Sequence, residues 1–343
     1  MSSHKNIYGI DLGKNWFHVV EINQRGALLN RRKLNRQQLK QFIQDTAPTL
    51  VAFEACPSSQ YWGRLFSDAG FEIKIIPAQF VKPYLKSNKN DFNDAAAIAE
   101  AASRGSMRCV PLKSDEQLAL QAMHRVRQRF ITERTATVNQ MRALLLEHGI
   151  TIPVGRKLFA RTLPDILEDA ENGLPDIMRG LLQRLRERWL QLDEQIDEMT
   201  RMIENAAIAS PSCQLISTIP GIGPIVSTGI MAAVGKGTQF NKARDMSAWL
   251  GLVPKPYSTG GKSKLGPISQ RGNTYLRMQV IQGARALLIH MKRDKSALGQ
   301  WVSKLESTHH HHVVLIAVAN KLMRICWKVL TTGTPYQAYP DVA

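Results

Sequence analysis

Residues 7–22 read IYGIDLGKNWFHVVEI, two short apolar runs separated by Gly13, Lys14 and Asn15. The runs read as strands over 7–12 and 16–22, joined by a tight turn into a hairpin. The first strand ends with Asp11. A carboxylate at the end of an apolar strand is costly to desolvate unless something pairs with it. What this stretch means therefore depends on which other acids the fold brings to Asp11.

The segments that follow mix strands and helices. A third strand is expected near 27–33, a helix over 35–43, an apolar strand TLVAFEA at 49–55 and a helix over 58–68. A strand FEIKIIP at 71–77 and an alanine-rich helix over 91–103 complete the series. This order implies an α/β domain with a mixed sheet over residues 1–112.

Three acidic positions fit one plan with Asp11. Glu54 ends the apolar strand, and Asp91 and Asp94 of NKNDFNDAAAIA lie three apart at a helix start. That spacing puts both on nearly one face of the first turn, where helix amides favour negative charge. If the helix crosses the sheet end, four carboxylates converge. Like charges so close repel unless they are protonated or hold a cation. Oxygen ligands argue for Mg²⁺ or Mn²⁺, and two such ions about 4 Å apart are the usual apparatus of phosphodiester chemistry. Lys82, Lys86 and Lys89 would then face the phosphates. The competing reading is structural: a turn aspartate, and two acids that merely favour a helix N-terminus.

Across 343 residues, 45 basic residues against 28 acidic ones give a formal net charge of +17. Such an excess favours a polyanionic partner, nucleic acid before a membrane surface. Cys56, Cys109, Cys213 and Cys326 have no ligand spacing, so neither a disulfide framework nor a zinc site is expected. The start MSSHKNIYGI lacks a signal-peptide pattern, and no uncharged apolar run is long enough to span a bilayer. A cytoplasmic protein without a membrane partner is expected. The His309–His312 run reads as a solvated loop or helix start.

Ser114 to about 148 reads as one long helix, 152–175 as a Pro- and Gly-punctuated connection, and 177–209 as a second long helix. The pair predicts an antiparallel coiled-coil arm over 113–210 that holds subunits together, in a homodimer or homotetramer. Residues 211–343 form a mainly α-helical domain. PGIG at 220–223 looks like a helix-hairpin-helix turn, whose amides can take a phosphate, although glycine also serves a plain tight turn. Terminal helices are expected over 274–292 and 313–331.

Between them lies GLVPKPYSTGGKSKLGPISQRGN, residues 251–273, read as a flexible glycine-rich loop. Ser258 has Lys255, Lys262, Lys264 and Arg271 near it, and Arg277 and Arg285 on the next helix extend the basic surface. A serine needs activation to act as a nucleophile, and no histidine is local to this one. On the residues alone the segment reads first as a nucleic-acid-binding loop and second as a catalytic one.

The motifs together resemble those of transposases of insertion-sequence family 110, in its 1111 subgroup. That family's N-terminal pattern is a G-I-D-x-(G/A/S) strand end, a glutamate ending a later strand and a K-T-D-x-x-D-A box. These fall on Asp11 of YGIDLG, Glu54 of VAFEAC, and Asp91 and Asp94 of KNDFNDA. Asn90 replaces the usual threonine, and EACPSS lacks the glycine that commonly follows the glutamate. The C-terminal pattern appears as PGIG, FNKARDMSAWLGLVP, the serine-glycine segment, ISQRGN and ANKLMRICW, with Gln270 where Lys or Arg is usual.

The resemblance implies an N-terminal domain with an RNase H-like, Holliday-junction-resolvase-like fold, and a C-terminal transposase domain carrying a catalytic serine. That serine falls on Ser258, with Ser263 and Ser269 as fallbacks. It further implies an RNA-guided recombinase with double-stranded DNA and a structured non-coding guide RNA as partners. Metal-bound carboxylates and the serine would form a composite site and pass through a covalent phosphoserine. The alternative is a resolvase-like metal-dependent endonuclease that makes no serine adduct.

Overall fold

The computed structural model describes residues 6–86, 90–259 and 262–338. The chain divides between Ser114 and Asp115 into two compact units.

In the N-terminal unit, β1 (Asn6–Leu12), β2 (Trp16–Asn23) and β3 (Leu28–Asn35) run antiparallel, while β4 (Leu50–Glu54) and β5 (Glu72–Ile76) extend the sheet in parallel from β1. The order is β3-β2-β1-β4-β5, a mixed sheet as expected. Helices α1 (Arg36–Asp45) and α2 (Ser59–Asp68) cover one face. There Phe17, Phe53 and Ile10 pack with Leu39, Trp62 and Phe66, all fully buried. A short α3 (Ala78–Val81) leads to α4 (Asp91–Ala102) on the other face, where Val20, Ala52 and Ile76 meet Ala95, Ile98 and Ala99.

The alanines of α4 have a purpose. Without bulk on its inner face the helix lies close to β1, and Gly9 completes the approach. A Cβ on Gly9 would stand 2.2 Å from the carbonyl oxygen of Ala95 and 2.5 Å from the amide of Ala99. Because side chains alternate along a strand, Asp11 shares the α4 face with Ile7 and Gly9. Glu54 shares it with Leu50 and Ala52, and His18 with Val20 and Ile22.

The C-terminal unit begins with α5 (Asp115–Leu146), which pairs with α7 (Asp176–Ala209). Arg127 donates to Thr200 at 2.7 Å, Arg134 to Asp193 at 2.9 Å and Arg188 to Glu133 at 2.6 Å. Rising numbers on one helix meet falling numbers on the other, so the pair is antiparallel. The connection is more ordered than its Pro and Gly content predicts, since α6 (Arg156–Glu168) spans it with Pro164 inside. Burial of Phe159 and Leu163, with the Arg142 guanidinium 4.7 Å above the Phe159 ring, outweighs the proline penalty.

Helices α8 (Pro211–Ser217), α9 (Pro224–Val234), α10 (Ala243–Trp249), α11 (Thr274–His290), α12 (Ala297–Glu306) and α13 (His311–Thr332) enclose a second core. Ile216, Ile230, Leu250, Val280, Val318 and Met323 are fully buried in it. The segment around Ser258 is not the irregular loop expected. It forms a two-stranded antiparallel ribbon of β6 (Pro254–Thr259) and β7 (Lys262–Ile268). The Gly260-Gly261 pair between extended segments is itself a hairpin signal, which the lysine and glycine content of the stretch masks. No helix among the described residues is long and apolar enough to cross a membrane.

A buried histidine ties α5 to this core. His124 Nε2 lies 3.0 Å from the Thr228 hydroxyl and Nδ1 lies 2.8 Å from that of Tyr275. Thr228 donates its own proton to the Pro224 carbonyl, so it accepts from Nε2, and Nδ1 accepts from Tyr275. Burial first, and the Arg127 charge second, lower the His124 pKa to about 4. As pH falls, the unfolded chain takes up this proton before the folded one does. Stability of the unit is therefore expected to drop between pH 6.5 and 4, by about 3 kcal/mol at the lower end. His124→Gln should flatten that part of a pH series of urea melts; an unchanged acid limb would place the sensitivity elsewhere.

Candidate metal centre and serine ribbon

Asp11 is paired with His18 across the β1–β2 ladder. Ile10 is paired with Phe53 in the β1–β4 ladder, which brings Asp11 and Glu54 to the same end of adjacent strands. Helix α4 starts over this end. Asn90 caps it by accepting from the Phe92 amide at 2.9 Å, so the departure from threonine preserves a strong N-cap. Asp91 then reaches His18, Oδ2 to Nδ1 at 3.5 Å, while Phe92 packs edge-on against the imidazole with centroids 4.8 Å apart.

One ligand atom each from Asp11, His18 and Asp91 all lie within 4.8 Å of one another. Asp11 is half-buried, His18 buried and Asp91 exposed, which opens the set to solvent on the helix side. The Asp11 carboxyl is held above the usual carboxylate range, first by burial, then by the charges of Asp94 and Asp91, with Glu54 adding to them and His18 opposing. The other three expected carboxylates thus all act electrostatically on Asp11. The tight three-atom set, however, is two carboxylates and an imidazole, with Glu54 and Asp94 outside it.

This donor set fits one divalent cation. Two hard oxygens suit Mg²⁺ or Mn²⁺, and the imidazole nitrogen tilts the preference toward Mn²⁺ relative to an all-oxygen set. A bound cation would also neutralise the repulsion that raises the Asp11 pKa.

In the C-terminal unit, Ser258 sits in β6 opposite Ser263, with Tyr257 opposite Lys264 and Thr259 opposite Lys262. Every residue of β6 is exposed, and so are Lys264 and Arg271. The PGIG turn is built for close packing. Gly221 has φ +87°, and a Cβ there would stand 2.8 Å from the Gly283 carbonyl oxygen of α11.

The family described as Transposase IS116/IS110/IS902 matches residues 213–299, and an IS110-type DEDD transposase family matches residues 8–150. The transposase of insertion sequence element IS1328 from Yersinia enterocolitica is 42% identical over 332 residues, covering 96% of this chain and 98% of that protein. The chain belongs to the IS110 family of transposases. A probable family 20 transposase from Pseudomonas aeruginosa is 41% identical over 96% of this chain and 98% of its own length. The IS1111A transposase of Coxiella burnetii is 39% identical over 96% and 91% respectively.

The transposase is thus an enzyme of DNA strand transfer. The match over residues 8–150 contains Asp11, His18, Glu54, Asp91 and Asp94, and the match over residues 213–299 contains Ser258. His18 is the residue that sequence reasoning overlooked. The expected three-residue turn over 13–15 would set Asp11 opposite Phe17; the observed register pairs Leu12 with Phe17 and so places His18 opposite Asp11. Among the cations, Lys82 is exposed, Lys86 pairs with Glu100 at 2.7 Å, Lys255 is exposed on β6, and Lys89 lies outside the described residues.

Arg277 requires a correction. Expected to face nucleic acid, it is buried, and its guanidinium donates to the carbonyls of Leu250 at 3.1 Å and Arg271 at 2.8 Å and to the Thr274 hydroxyl at 3.2 Å. The helical period put Arg277 on the same segment as Arg285, but only Arg285 points outward. Arg277 instead braces the chain that leads out of the ribbon.

Proposed function

We propose that the transposase cuts and rejoins DNA by covalent serine catalysis supported by divalent metal, with a structured RNA guiding it to its sites. The observation that carries the reading is the Asp11–His18–Asp91 set, reinforced by Glu54 and Asp94, in a chain whose other half presents Ser258 on an exposed basic ribbon. The β3-β2-β1-β4-β5 order with its parallel extension supports an RNase H-like N-terminal fold. The α8–turn–α9 element supports a helix-hairpin-helix assignment, and the α5–α7 pair a coiled-coil arm that holds subunits together.

Asp11, His18 and Asp91 would hold the first divalent ion, and Glu54 and Asp94 would help to hold a second. Bound there, the metal supplies charge neutralisation to a phosphodiester under attack. Ser258 Oγ forms a bond to phosphorus as the bond to one sugar oxygen breaks, and the serine proton ends on that leaving oxygen. The product is a phosphoserine and a free sugar hydroxyl. Lys255, Lys262, Lys264 and Arg271 stabilise the negative charge around the phosphate. A net charge of +17 without a base-reading motif suits a protein that leaves sequence recognition to base pairing.

The test joins the protein with element-end DNA, the element's flanking non-coding RNA and Mg²⁺, then resolves protein–DNA adducts on a denaturing gel. Wild type is expected to give an adduct that Ser258→Ala and chelation each remove. Free cleaved DNA, equally abundant with Ser258→Ala, would make the protein a resolvase-like metal endonuclease instead.

A further inference from the structure

The sheet face that carries Asp11 and His18 continues onto β3, and what lies there is not part of the metal centre. In the β2–β3 ladder His18 pairs with Lys33, Val20 with Arg31 and Trp16 with Asn35. Pairs across a ladder share a face, so one transverse row reads Glu54, Asp11, His18, Lys33. Carboxylates occupy one end of the row and an ammonium the other. Trp16, two residues before His18 and on the same face, is 50% exposed, with Lys33 Nζ 5.0 Å from its ring centroid. Arg31 flanks them, its guanidinium 6.0 Å from the Phe92 ring at the start of α4.

A cationic sheet edge has an ordinary explanation, since lysines on edge strands discourage pairing with other chains. That explanation covers Arg31 and Lys33 but not Trp16. A single half-exposed ring is ordinary on a protein surface, but this one shares its sheet face with a candidate metal-binding cluster and two exposed cations. The indole has value where a flat apolar partner meets it. Neither Arg31 nor Lys33 has a carboxylate partner among the described residues, so both charges are open to an anion.

We propose that Trp16, Lys33 and Arg31 form a strand clamp beside the metal centre. A nucleobase next to the scissile phosphate stacks on the open part of the Trp16 ring, and the adjoining backbone phosphate is held by Lys33, with Arg31 steadying the approach. Stacking on an aromatic ring tolerates any base, which suits a protein that leaves sequence to another reader. This rests on the metal centre being where DNA is cut, and it adds how the strand is aligned there.

The probe is a thymidine oligonucleotide with a single 2-aminopurine, bound by the full-length protein in chelator so that no cleavage occurs. Wild type is expected to quench the 2-aminopurine. Trp16→Ala should lose that quenching and about tenfold in affinity, and Trp16→Phe should recover most of both. Lys33→Ala should keep the quenching while lowering the slope of log affinity against log salt by about 0.7 for a single strand. An RNA oligonucleotide of the same design tells which strand type the clamp prefers. Equal quenching and affinity within twofold for Trp16→Ala, with a wild-type melting curve, would overturn the clamp. Asp11→Asn run in parallel separates the two claims. It should quench like wild type, and if it cleaves DNA normally in Mg²⁺ the metal reading fails whatever Trp16 does.

Discussion

Asp11→Asn is expected to eliminate strand cleavage and, at the same time, to raise the melting temperature of the metal-free N-terminal unit. Removing a central ligand forfeits several kcal/mol of charge stabilisation during phosphodiester attack, and about 4 kcal/mol corresponds to roughly a thousandfold in rate. The stability effect has the opposite sign. In metal-free protein the half-buried Asp11 faces the charges of Asp94, Asp91 and Glu54, and burial and repulsion together push its pKa up. Asparagine fills nearly the same space without charge. Relief of that repulsion should raise the melting temperature by a few degrees, as a stabilisation near 1 kcal/mol does for a unit of this size. Calorimetry with chelator, then with Mn²⁺, tests it: the wild-type unit should gain stability from the metal and the variant should gain much less. A variant that melts lower than wild type in chelator would refute the electrostatic account, and residual cleavage within tenfold would remove Asp11 from the reaction.

Gly9→Val should be the most damaging single change in the N-terminal unit. The valine Cβ would meet two backbone atoms, the Ala95 oxygen and the Ala99 nitrogen, neither of which can rotate away. Helix α4 would have to lift from β1, exposing Ala95, Ile98, Ala99 and their partners Val20 and Ala52. A cost of about 3 to 5 kcal/mol follows from overpacking at its severe end together with lost burial. Because Asp91 and Asp94 ride on α4, metal affinity should fall with it even in whatever folded fraction survives. Urea denaturation followed by circular dichroism is expected to show an early transition for this unit, with the helical unit unfolding as in wild type. A single unchanged transition would mean that the helix–strand approach is softer than the backbone contacts require.

Much of this arrangement is legible in residues 7–22 and their echoes. The hairpin, the strand ending in Glu54 and the helix opening at Asp91 follow from alternation, apolar runs and capping chemistry, all local properties. His18 was harder to read because ligand status depends on register, a relation between two strands that composition does not display. Arg277 was misread for the complementary reason. An arginine in a basic stretch looks like a phosphate contact, and only the tertiary position of the Leu250 and Arg271 carbonyls shows that it is engaged inside. Helix α6 was hidden by Pro164, whose cost is offset by packing against α7 and Arg142 that no local window contains. The ribbon around Ser258 was masked by its own glycines and lysines, which read equally well as a loop.

That ribbon has a consequence for the cell that carries the protein. An isolated pair of strands is marginally stable in water, and β6 has no buried residue to hold it in place. If Ser258 is the nucleophile proposed above, it would be aimed only when something else supplies the rigidity. On the proposed serine mechanism, a copy diffusing freely through a genome would be a disarmed cutter, with assembly as the arming step. Restraint of this kind would spare the host random breaks.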